Sequence, residues 1–166
     1  MLFETNIYEL EKTIWTDADF EKMGWHDSSV YALSFINLNN SQGNDLCFDL
    51  DYIFKWVHPK PNQHTFSFWV SPCTLIFHDV FDLKIDIESG LISNLELEIA
   101  DIIRLEPASP DIIEEVKWKI ELQSGNIQFD AKGFTQIVRK KPLLKGTQNL
   151  TLDERGGVSF EKISFK

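Results

Sequence analysis

Between Asp45 and Tyr52 two kinds of side chain alternate without a break. Leu46, Phe48, Leu50 and Tyr52 fall on one parity, and Asp45, Cys47, Asp49 and Asp51 on the other. A two-residue period is that of an extended strand, whose successive side chains point to opposite faces. The pattern predicts a half-buried strand with one apolar side and one mostly acidic, water-facing side. The same period returns at Leu83, Ile85 and Ile87, at Leu95, Leu97 and Ile99, and at Trp118, Ile120 and Leu122. It returns once more at Ile127, Phe129 and Ala131, where Ser124-Gly125-Asn126 reads as the turn of a hairpin.

Between these runs the punctuation is local. Residues 17–23 begin with acids and stop at Gly24, which predicts one or two helical turns. Ser29 to Leu38 reads as a strand closed by a polar loop at 39–44. Residues 53–64 leave the strand pattern through a loop containing Pro59 and Pro61, and Phe66–Val70 resumes it. Ser71-Pro72 is expected to break the ladder, because proline has no N–H to donate, with Cys73–Phe77 continuing beyond. Ser109-Pro110-Asp111 predicts a short crossover helix with Ser109 as its N-cap. Gly133 lets the chain bend into Phe134–Arg139, and Val158–Phe165 reads as an edge strand or a partly ordered end. These elements predict a single domain over 1–166, mainly β or β-dominated α+β. Its expected form is an antiparallel curved sheet, sandwich or partial barrel of about nine to ten strands with one or two short helices.

Thirteen Phe and five Trp among 166 residues give the core an aromatic bias that suits strands. The formal net charge is −10, unevenly spread: residues 1–131 carry 8 basic and 23 acidic side chains, residues 132–166 carry 8 and 3. An acidic body argues against nucleic acid as a partner, since the phosphate backbone repels it, and against an anionic membrane surface. It reads first as a solvated acidic surface that keeps the protein soluble, and more sharply as a docking face for a basic partner. No apolar run approaches the ~18 residues of a membrane span, and the start lacks a secretory pattern. Cys47 and Cys73 lie far apart and outside any CxxC spacing, which reads as two buried thiols in a reducing, cytoplasmic setting.

The candidate chemistry is sparse. His26-Asp27 and His78-Asp79 each follow an aromatic residue, Trp25 and Phe77, near a strand boundary. Neighbouring side chains of an extended dipeptide point to opposite faces, so neither pair can hold one metal ion with both groups unless it sits in a turn; for His26-Asp27 a polar turn that satisfies backbone donors is the better account. His58 and His64 flank the proline loop with no third ligand. Asp45, Asp49 and Asp51 line one strand face, on which alternate residues stand about 7 Å apart; if Lys60, Lys117 or Lys119 lay opposite, they would be cross-strand partners. Trp25, Trp56, Trp69 and Trp118 could line a pocket but read first as core, and Arg139-Lys140-Lys141 reads as a solvated strand end. No nucleophile elbow, phosphate loop, dinucleotide fingerprint or zinc-protease motif is present, and no cofactor or catalytic residue is assigned.

Several segments together carry a resemblance. Gly24-Trp25-His26-Asp27-Ser28-Ser29-Val30 leads into a strand, followed by Leu46-x-Phe48-x-Leu50-x-Tyr52 and by Thr74-Leu75-Ile76-Phe77-His78-Asp79-Val80. Then come Trp118-Lys119-Ile120-Glu121-Leu122 and Gly125-Asn126-Ile127-Gln128-Phe129. This order is similar to the immunity protein 50 family of polymorphic toxin systems, over roughly residues 22–140. The resemblance implies a single-domain cytoplasmic protein that binds and neutralises a toxin, with no catalytic residues to carry over. Two readings follow. One is a protein-interaction module whose acidic face, Asp45, Asp49 and Asp51, docks a basic toxin. The other is a small-molecule binder or small hydrolase with an aromatic-lined pocket that has His26, Asp27, Asp49 or Asp51 at its mouth; Trp25, Trp69 and His78 complete the candidate binding residues.

Overall fold

A computed structural model describes residues 7–36, 44–88, 97–105 and 116–166. Of the loop expected at 39–44, residues 39–43 lie outside the described residues and Asn44 opens a strand; the Ser89-Gly90 turn, the strand start at 94–96 and the helix after Ser109 also lie outside them. Nine strands are present among them: β1 (Ile14–Thr16), β2 (Ser28–Ile36), β3 (Asn44–Val57), β4 (Ser67–Ile87), β5 (Glu98–Leu105), β6 (Val116–Leu122), β7 (Gly125–Ala131), β8 (Gly133–Val138) and β9 (Leu143–Lys145). A 3₁₀ helix, Asp17–Lys22, precedes β2, and a single helical turn, α1 (Leu152–Arg155), lies near the C-terminus. The fold is β-dominated, as its periodicity predicts.

All pairings are antiparallel and join the strands into one curved sheet in the order β1-β8-β4-β3-β2-β5-β6-β7, with β9 also on β4. β7 returns to pair with β4, so β4, β3, β2, β5, β6 and β7 form a closed circuit of pairings. The length of β4 makes this possible. It pairs with β9 over Phe68–Val70, with β8 over Cys73–His78 and with β7 beyond Phe81, while β3 runs along its other side. Where β8 gives way to β7 as the neighbour of β4, Asp79 and Asp82 adopt φ of 52° and 51°, the left-handed region that aspartate tolerates better than most residues, and the register shifts between Phe81 and Lys84.

Two local expectations are corrected. Pro72 does not break the ladder: it lies inside β4 opposite Asp51, where β9 has ended at Val70 and β8 has not begun until Cys73. On that side no ladder bond is demanded of it. The hairpin turn falls at Gln123-Ser124, and Gly125 opens β7 with φ 149°. A side chain there would meet the Asp86 carbonyl oxygen at 2.0 Å, so glycine is what lets β4 and β7 approach.

The apolar parity of β3 packs inward. Leu46, Phe48, Leu50 and Tyr52 join Trp25, Phe77, Trp118, Phe129 and Phe134 in the main core. Phe77 is central: its ring lies 4.7 Å from Phe129, 5.3 Å from Trp118, 5.7 Å from Phe134 and 6.2 Å from Phe48, in edge-on or tilted arrangements. The outer face of β3 is covered as well. Beyond β9 the chain runs back across it, seating Leu150 against Ile53, Phe68 and Val70, and Phe160 against Cys47, Ile76 and Ile137. Val158–Phe165 is thus neither an edge strand nor a loose end. It forms no strand, yet Phe165 N–H donates to the Val138 carbonyl and Thr74 Oγ1 donates to the Glu161 carbonyl.

Candidate functional site

The acidic parity of β3 is the first site to follow, and the structure turns it inside out. Asp49 and Asp51 are fully buried under the returning tail, whose Arg155 and the strand-end Arg139 reach them. Arg155 grips Asp49 through both terminal nitrogens, Nη1 to Oδ2 and Nη2 to Oδ1, each at 2.8 Å. Arg139 Nη2 adds a bond to Oδ1 at 2.7 Å and Ser159 N–H one to Oδ2 at 2.9 Å. Asp51 accepts from Tyr31 Oη and from Leu150 N–H, and Arg155 Nε stands 3.3 Å from its other oxygen. Arg155 also lies over the Tyr31 ring at 3.7 Å.

Two carboxylates and two guanidiniums thereby cancel in the interior, with both Asp49 oxygens satisfied, as buried ions require. Asp49 and Asp51 are therefore not a docking face for a basic partner, and Arg139 is not a solvated strand end. The expected partners Lys60, Lys117 and Lys119 do not meet these acids: Lys117 pairs with Asp82 and Asp130, and Lys119 with Glu121. Asp45, half-buried at the strand start, accepts from Asp79 N–H at 3.2 Å and stands 3.7 Å from His78 Nδ1. His78 Nε2 meets Thr135 Oγ1 at 2.8 Å, so this imidazole is tied between a hydroxyl and a carboxylate on the outer sheet face.

The cluster has a definite pH signature. Burial alone would raise the Asp49 carboxyl, but hydrogen bonds from Arg155, Arg139 and Ser159 outweigh it and hold the group below its ordinary 3.8. Burial raises Asp51, with only partial relief from Leu150, Arg155 and Tyr31. A depressed folded-state value means that Asp49 contributes stability above 3.8 and loses it as pH falls through the folded value. Asp51 has the opposite sign, its ionised form costing stability as pH rises through its raised value. Urea denaturation of the wild type and of Asp49→Asn across pH 2–7 should show a stability gap that is full at neutral pH and closes only below about 3.8. A gap that closes well above that pH would contradict this pairing.

The histidine-aspartate pair near Trp25 forms a turn, as expected: Asp27 sits at φ 63° and its N–H donates to the Ile99 carbonyl. Trp25 is buried, its Nε1–H donating to Gln136 Oε1 at 2.8 Å. His26 Nδ1 lies 3.1 Å from the Ala100 carbonyl oxygen, and Asp27 Oδ2 accepts from Gln148 Nε2 at 2.6 Å. The Phe77-His78-Asp79 echo shares the device: each aromatic ring packs on Phe134 in the core and each aspartate takes the left-handed conformation. The first triplet ends in a turn and the second lies inside β4, and their imidazoles have different partners.

What the turn does assemble is an aromatic surface. A register shift in β3 between Ile53 and Lys55 brings Trp56 opposite Phe68. The Trp56 ring lies 5.0 Å from Phe68, 5.9 Å from Phe66 and 6.1 Å from the His26 ring, stacked on the last at 22°, and His58 lies 5.0 Å from Phe66. Trp56 and Phe66 keep 38% and 37% of their surface exposed. Trp69 belongs to the opposite side, stacked on Tyr8 at 5.7 Å. Trp56, which its strand pattern assigns to the core, instead stays at the surface. The sequence signal for this is that residues 53–78 carry no acid in a chain of net charge −10, while three of their aromatics cluster at the rim of the proline loop.

Beside this surface lies an open groove of about 460 Å³ lined by Ser29, Phe68, Glu98, Gly146, Thr147, Gln148 and Asn149. A second cavity, about 270 Å³, is lined by Tyr8, Glu9, Leu10, Glu11, Trp15, Lys22, Tyr52 and Phe54, away from both histidine pairs. Among the described residues no group of three His, Cys, Asp or Glu could hold a metal ion, and no helix is long and apolar enough to cross a membrane. Cys47 and Cys73 are free and buried, and burial pushes the Cys47 thiol up to about 11. Comparison of the chain with family models, with curated proteins and with solved structures finds no match.

Proposed function

We propose that this chain is a non-catalytic protein-binding module, in its most concrete form an immunity-type inhibitor of a basic toxin. The observation that carries the reading is the aromatic surface around Trp56. Large aromatics are what protein interfaces concentrate at their centres, and truncating such an anchor typically removes a disproportionate share of the binding energy. Trp56 is held in place by Phe68, Phe66 and His26, so little side-chain entropy remains to be lost on docking. The net charge of −10 supplies long-range steering of a basic partner, with exposed acids such as Asp82, Asp86, Asp101 and Asp153 spread over the surface. The resemblance to the immunity protein 50 family favours the same role. The two buried free thiols fit a reducing compartment, and we place the chain in the bacterial cytoplasm.

The test is capture from a lysate of the native cell by the tagged chain, at low and raised salt, beside Trp56→Ala. A stoichiometric basic protein is expected, weakened by salt and weakened about 30-fold or more by the substitution, as for a central aromatic anchor. Equal capture by the variant, or no protein above background, would overturn the reading.

A further inference from the structure

We propose that the open groove between β2, the start of β4 and the 146–149 segment binds a neutral polyhydroxylated ligand, a saccharide. The site shares Phe68 with the protein-binding surface but otherwise stands on different residues, and it does not rest on that reading. Its lining is Ser29, Glu98, Thr147, Gln148 and Asn149, with the edge of Phe68 and the bare backbone of Gly146. These supply two hydroxyls, two carboxamides and a carboxylate, a mixture of donors and acceptors suited to a ring of hydroxyls. No Lys, Arg or His lines it, so a phosphate or carboxylate ligand would find no counter-charge, and a purely apolar ligand would find one ring among polar groups. Phe68 adds a small apolar element to the lining; it is mostly buried and packs edge-on with Trp56 at 5.0 Å.

The polar wall is also fixed in advance. Gln148 Nε2 is anchored on Asp27 at 2.6 Å, and Thr147 Oγ1 donates to the Asn149 carbonyl at 2.9 Å. Leu150, the next residue, is pinned through its N–H, which donates to the buried Asp51, while its carbonyl shares the single Tyr31 hydroxyl proton with Asp51. A buried carboxylate is costly, and one thing this one does is hold the segment that forms the groove wall. A wall set before binding is what an exposed, shallow polar site needs, because ordering loops on binding subtracts from affinity. The volume of about 460 Å³ lies within the range of small-molecule sites.

Saturation-transfer NMR on the full chain tests this with maltose, cellobiose, lactose and chitobiose as probes at ~10 mM, and glucose 6-phosphate as a charged control. At least one neutral disaccharide should show transfer, and the phosphate ester should not be preferred. Asn149→Ala, at an exposed position, and Gln148→Ala should each weaken binding about five- to tenfold, the worth of one hydrogen bond, with Asn149→Ala keeping the wild-type melting temperature. No transfer from any neutral probe, preference for the phosphate ester, or equal transfer in both variants would overturn the proposal.

Discussion

Replacing Arg155 with Met should cost this protein about 3–5 kcal/mol of stability, the price typical of removing one partner from a buried ion pair. Arg155 is fully buried and donates to both Asp49 oxygens, to the Gly157 carbonyl and towards Asp51. Its loss strands two carboxylates in the interior with only Arg139 as a guanidinium partner. The residual charge cannot be relieved by water without lifting the tail, and lifting the tail exposes Leu150 and Phe160 together with the apolar groups beneath them. Urea denaturation at neutral pH measures the loss. Asp49→Asn in the Arg155→Met background should cost less than in the wild type, with a coupling of about 0.5–3 kcal/mol, because the charge it removes has then already lost one of its two guanidinium partners. A cost for Arg155→Met below about 1 kcal/mol would mean that the cluster is solvated and the tail only loosely applied.

Phe77→Ala should be the comparable loss in the main core, about 3–5 kcal/mol. Phe77 has no exposed surface, and its ring is enclosed by Phe48, Trp118, Phe129 and Phe134, which lie on β3, β6, β7 and β8. These rigid rings come from four different strands, so the surroundings cannot collapse into the space that alanine leaves. The cavity remains, and its cost adds to the lost transfer free energy of the ring. Denaturant midpoint and slope measure the effect. A cost near 1 kcal/mol would show that the core repacks around the missing ring.

The two predictions sit on opposite faces of the same sheet, and that explains how much of the protein was readable in advance. Along β3 the alternation of Leu46, Phe48, Leu50 and Tyr52 with Asp45, Cys47, Asp49 and Asp51 correctly placed a strand and its inner face, because period 2 is a property of extended backbone alone. The hairpin of β6 and β7, the 3₁₀ turn after β1 and the turn at His26-Asp27 were legible for the same reason: each is decided by neighbours within a few residues. The outer face of β3 was misread. Polarity in a strand pattern is taken to mean water, yet here it means two arginines 90 to 106 residues away along the chain. A clue was present in the opposite charge balance of residues 1–131 and 132–166, which foreshadows a basic tail folding onto an acidic body.

The candidate binding face was less legible still. Trp56 reads in isolation as one more strand aromatic, and only the register shift beside Phe54, together with the packing of Phe68, Phe66 and His26, leaves it at the surface. Gln148 carries no motif and acquires its place by reaching Asp27 from 121 residues away. By itself, then, the sequence determined strand content, the alternating faces, the turns and the net charge, since these follow from backbone geometry and composition over short spans. The tertiary structure alone decided which acids are buried and which aromatics stay exposed, because burial is a relation between distant segments and no local period encodes it.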